Sequence, residues 1–158
     1  MATSITLKGF DKLERGLLAL PDEIARKVAQ DSVRKGAVII QREAQARAPV
    51  QAGDRVHRIS TSKRAKKYSK GRKPGFLRAS ILVRLNRAAT TAGSPLVYSI
   101  GWSKDAYYGL FQEFGSRHQP ARPFLRPAAD SKFEEAVAAI GADMGPRIEA
   151  AAKKLAGA

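Results

Sequence analysis

The chain has 158 residues, with 29 Lys and Arg against 14 Asp and Glu, a net charge of +15 and no cysteine. Absence of cysteine excludes a disulfide scaffold and a cysteine-based zinc site. No apolar run is long enough to cross a bilayer, so a soluble protein without a membrane partner is expected.

The length suits one domain with a real core, expected over residues 1–158. The opening Met1–Phe10 lacks the cationic start and apolar run of a secretory signal. Asp11 can cap a short helix reaching about Leu20, with Leu13, Leu17 and Leu20 on one face. Pro21 separates it from a longer helix, whose positive end suits Asp22 and Glu23. Ala25, Ala29, Val33, Ala37, Ile40 and Ala44 recur along that helix at helical spacing, opposite Arg26, Lys27, Arg34, Lys35 and Arg42. Pro49 ends it near Arg47 or Ala48. The small residues of the stripe imply close approach to a sheet or another helix.

Residues 51–75 form an expected long basic loop, mobile unless something neutralises it. It carries Arg55, Arg58, Lys63, Arg64, Lys66, Lys67, Lys70, Arg72 and Lys73 with no acid from Arg55 to Lys73. Three readings stand for these nine cations: contact with DNA, contact with an acidic protein surface, or a solvated charge run. Tyr68 is the only aromatic residue among them, so any nucleic-acid contact would be with the backbone and independent of sequence.

Leu77, Ala79, Ile81, Val83 and Leu85 alternate with polar neighbours as in a half-buried strand, although the first residues would equally suit a helical turn. Thr90–Pro95 reads as a turn and Leu96–Trp102 as a second, antiparallel strand. Asp105 then opens a short helix with Tyr107, Leu110, Phe111 and Phe114 on one apolar face, read as core. Gly115 is the expected left-handed closing residue. Pro120, Pro123 and Pro127 make a stiff extended strap. Its Phe124 and Leu125 either plug the subunit's own core or anchor in a neighbour. Its Arg122 and Arg126 are fixed cations, and Glu113 is read as an ion-pair partner of nearby arginines. Phe133, Val137, Ile140, Met144, Ile148, Ala152 and Leu155 mark a long final helix, kinked or broken at Gly145-Pro146. The fold class is therefore α+β: a small antiparallel sheet packed by the Asp22–Arg47 helix and a kinked C-terminal helix.

Catalytic inventory is poor. The two histidines, His57 and His118, fall in loops, and neither a nucleophile elbow nor a phosphate-binding glycine loop occurs. No metal cluster or cofactor is implied, and a non-enzymatic protein is expected.

Two motifs carry a resemblance. Gly75-Phe76-Leu77-Arg78-Ala79-Ser80-Ile81 is one. Tyr108-Gly109-Leu110-Phe111-Gln112-Glu113-Phe114-Gly115-Ser116, followed by Ala121-Arg122-Pro123-Phe124-Leu125-Arg126-Pro127-Ala128, is the other. With the opening Ile5–Leu13, they resemble the small neck and tail-completion morphogenesis proteins of long-tailed bacteriophages. The resemblance implies a structural virion protein at the head–tail junction, made in the host cytoplasm. Copies would form a homo-oligomeric ring that continues the DNA channel between connector or head-closure proteins and the tail tube or terminator. The expected contact residues are Glu113, Arg122, Phe124, Leu125 and Arg126, with the basic loop facing DNA or an acidic ring. A tail-terminator ring is the near alternative. A free DNA-binding protein of the nucleoid type is the alternative from another class, and a nuclease the remote one.

Overall fold

The computed structural model describes residues 11–50, 74–87, 90 and 95–156. In chain order these form α1 (Asp11–Leu18), α2 (Asp22–Arg47), α3 (Phe76–Ser80), β1 (Ile81–Leu85), β2 (Tyr98–Trp102), a 3-10 turn (Lys104–Ala106), α4 (Gly109–Phe114) and α5 (Leu125–Ala156). Among the described residues the fold is α+β, with one two-stranded antiparallel sheet and two long helices packed together.

The expected bounds of α2 hold. Pro21 precedes it, Asp22 and Glu23 occupy its first turn, and Ala48 leaves the helix in an extended conformation just before Pro49. Its buried side is Val28, Ser32, Gly36, Ala37 and Ala44, rotated from the expected alanine stripe because α5 and the sheet flank it on different sides. The contact with α5 is close. A methyl group on Gly36 would lie 2.6 Å from Ile140 Cγ1 and 2.8 Å from the Ala136 carbonyl oxygen, so only glycine fits. The two helices run antiparallel: Ala44 clusters with Phe124 and Ala128, while Val28 clusters with Met144 and Ile148.

Charges close the seam. Asp143 of α5 accepts bonds from Ser32 Oγ (3.0 Å) and from Lys35 Nζ, and Arg147 Nε lies 2.7 Å from it. The Lys35 ammonium, and then the Ser32 hydroxyl and Arg147, hold this carboxyl below its ordinary pKa against a smaller upward push from burial. Arg147 also reaches Asp31 of α2 at 3.0 Å.

The first strand begins later than the alternation suggests. Leu77, Ser80 and Ile81 are the buried residues here and Ala79 is exposed, a helical spacing that makes Phe76–Ser80 a short helix. From Ile81 the strand pairs with β2 in the register Ile81–Trp102 to Leu85–Tyr98. Gln41 and Gln45 of α2 both donate to the Ile81 carbonyl, at 2.7 and 3.1 Å. The Tyr98 hydroxyl donates to the Gln30 carbonyl at 3.0 Å, and burial holds its pKa above the usual tyrosine value.

The C-terminal segment is one helix, without the two-helix break that Gly145-Pro146 could impose; Pro146 sits inside it. Met144 and Ile148, on either side of the proline, are buried in the same cluster with Leu20 and Val28. Packing therefore carries the helix across the missing hydrogen bond. Leu13 and Leu17 of α1 lean on that cluster, as their spacing predicts.

Candidate subunit interface

Residues 109–126 tie α4, the strap and the start of α5 into one unit. Phe124 is 1 % exposed. Its ring packs 5.9 Å from that of Trp102, among Ala44, Ala48, Leu77, Ile81, Ala106 and Ala128. Of the two places expected for this side chain, the structure gives the subunit's own core. Leu125 is half-buried against the same cluster.

Glu113 is 7 % exposed, and its partner is not the expected arginine. Its carboxylate accepts backbone N–H bonds from Phe124 (2.8 Å), Leu125 (3.0 Å) and Arg126 (3.2 Å). These are the amides that open α5, which have no intrahelical acceptor. The negative charge also meets the positive end of the α5 dipole. A carboxylate from one element thus caps another across the strap. Gly115 makes the chain turn this requires. Its φ of 79° with ψ of 179° is a glycine-only region but not the expected left-handed helical conformation. A side chain there would meet the Ala121 nitrogen at 2.9 Å.

The strap is shorter than the proline spacing suggests. It runs without helix or strand from Pro120 to Phe124, and Pro127 lies in the first turn of α5, where a missing N–H is tolerated. Ser116 and Gln119 bridge its base, and Arg122 N–H donates to the Gln112 carbonyl at 2.7 Å. The side chains of Arg122 and Arg126 are exposed, as is that of Arg117, and no carboxylate pairs with any of the three among the described residues.

The expected core face of α4 points the other way. Tyr107, Leu110, Phe111 and Phe114 are 44 to 68 % exposed, whereas Ala106, Gly109 and Glu113 are buried. The helix turns its small side inward because Leu77 and Trp102 leave no room for more: a methyl group on Gly109 would lie 2.8 and 2.9 Å from them. The aromatic residues are left outside. Sequence reading missed this face, although Ala106, Gly109 and Glu113 share helical spacing and Pro127 at N3 marks a helix start that needs a cap. The nine cations of the basic loop lie outside the described residues.

Residues 11–115, well over half of the chain, match the family described as "Bacteriophage HK97-gp10, putative tail-component". The chain belongs to the HK97-gp10-like family. No curated protein and no solved structure matches it. The family match runs from α1 to Gly115, at the far end of α4; the strap and α5 follow it. Within the matched part, the Gly75–Ile81 motif has clear structural work. Leu77 and Ile81 are core, the Ser80 hydroxyl donates to the Leu77 carbonyl at 2.7 Å, and Arg78 Nη2 donates to the Ala46 and Ala48 carbonyls at the end of α2. Family membership makes this a bacteriophage tail component, a class whose work is contact with other virion proteins.

Proposed function

We propose that this HK97-gp10-like chain is a structural, non-catalytic subunit of the phage head–tail junction, acting as one domain in the neck or in tail completion. Copies form a ring that continues the DNA channel and joins the connector or head-closure proteins to the tail. The observation that carries this reading is the end of the molecule where α4 holds large apolar side chains in water beside Arg117, Arg122 and Arg126. Contiguous exposed apolar groups on a folded domain mark contact surfaces, and fixed arginines beside them set register and partner choice. Arg122 and Arg126 are the strap's contact residues in this reading, and Glu113, Phe124 and Leu125 hold the strap in shape. The nine cations from Arg55 to Lys73 face DNA in the channel or an acidic neighbouring ring, by contacts to the phosphate backbone and not to bases.

The test is assembly. A triple variant L110S/F111S/F114S should keep the wild-type circular dichroism spectrum and fail to join particles, leaving heads and tails unattached in electron micrographs. Particles that join normally with this variant, or a wild-type chain absent from the junction, would overturn the reading.

A further inference from the structure

The two ends of the long helix pair differ in charge as well as in shape. At the α4 end, exposed apolar side chains stand beside three arginines that have no acid partner among the described residues. Near the other end, α1 packs on α5 beside Ile148. There Leu18 is 78 % exposed, and four acids surround it in sequence: Asp11 and Glu14 in α1, Asp22 and Glu23 in the first turn of α2. All four are exposed, and none takes part in an ion pair among the described residues. Their positions in first turns suit the helix dipoles, yet their outward oxygens are left to solvent. Lys12 and Arg15 are the only cations between Asp11 and Glu23, so this stretch is net acidic in a chain whose net charge is +15. Lys153 and Lys154 lie further along α5.

From these complementary ends we infer that the α4–strap surface of one copy docks on the α1–α2 corner of the next, with Phe114, Phe111 and Leu110 against Leu18 and Arg117, Arg122 and Arg126 facing Asp11, Glu14, Asp22 and Glu23. The inference rests on the reading that copies of this chain assemble with one another, and it names the second half of that contact. A two-fold contact between identical patches would set three arginines against three arginines, which is unfavourable. The remaining surface of so cationic a chain also repels another copy. The α1–α2 corner offers four exposed carboxylates and an exposed aliphatic side chain together. Leu125 and Ile148 are 23 residues apart on one helix, a rise of about 35 Å. The two surfaces therefore sit at opposite ends, and the contact is head-to-tail. Such contacts propagate from copy to copy until the rotation closes a ring.

The absence of cysteine makes a clean test. Cysteines are introduced at Leu18 and Phe114, singly and together, and the purified chain is oxidised at high concentration in low salt. The double variant L18C/F114C should give a ladder of covalent multimers, and the single variants should stay monomeric. Adding R122E/R126E should remove most of the ladder, and further adding D22K/E23K should restore it, with circular dichroism unchanged throughout. Dimers from F114C alone, a ladder indifferent to charge reversal, or no ladder would overturn the inference. Rings seen by electron microscopy without the Leu18–Phe114 cross-link would sink this docking and leave the structural reading standing; failure of copies to associate on the assembled particle would sink both.

Discussion

Along the seam between α2 and α5, and at the tip formed by α4 and the strap, the same chain treats its surface in opposite ways. At the seam, small residues bring two helices together, and the charges beside them are matched: Asp143 with Lys35 and Arg147, Asp31 with Arg147, Glu43 with Arg47. At the tip, the small residues Ala106 and Gly109 face inward and the large ones face water. The buried acid there, Glu113, is spent on backbone amides, so among the described residues the arginines around it stay unmatched. The seam is complete within one subunit. The tip is closed on its inner side, and its outer side leaves large apolar side chains and arginines exposed.

This contrast can be broken in graded steps. Phe124→Ala empties a buried site beside Trp102 and should cost about 4 kcal/mol of stability, read as a lower urea midpoint. Glu113→Ala strips three amides of a charged acceptor and should cost about 3 kcal/mol; Glu113→Gln, which keeps an acceptor oxygen, should cost less. Gly36→Ala forces the seam apart against a backbone carbonyl and Ile140 and should cost about 2 kcal/mol. Asp143→Asn loosens the ionic closure by about 1 kcal/mol at neutral pH. That loss should depend on pH. The Asp143 carboxyl has a folded pKa below its unfolded value of 3.8, so its contribution is full above that pH and fades as the pH falls through the lower folded value. Wild type and Asp143→Asn should therefore converge in stability as the pH drops below about 4. Last, Phe114→Ser should change stability by less than about 0.5 kcal/mol while impairing assembly. A large drop in its urea midpoint would show that the tip is part of the core after all.

Much of the scaffold is legible without coordinates because its signals are local. Pro21 and Pro49 bracket α2, and leucine spacing predicts α1. Alternating apolar spacing marks two strands, and β1 and β2 pair antiparallel as expected. The strap residues were less readable. Pro127 looks like part of an extended run, yet a proline is equally at home in the first turn of a helix, and which applies depends on whether the next amides find an acceptor. Here the acceptor is Glu113, eleven to thirteen positions away in sequence, a pairing no periodicity encodes. The sidedness of α4 was misread for a related reason. Apolar spacing identifies a face but not what lies opposite it, and Leu77 and Trp102 admit only the glycine side.

By itself, the amino-acid sequence determined the positions of the long helices, the existence of the hairpin, the charge imbalance and the motifs of the family, because backbone preferences and side-chain periodicity act over a few residues. The tertiary structure alone decided that Phe124 turns inward, that Glu113 caps α5, and that aromatic residues of α4 are left facing water beside exposed arginines. Those outcomes follow from competition for a limited interior, in which each buried group must find both room and a hydrogen-bond partner from distant parts of the chain.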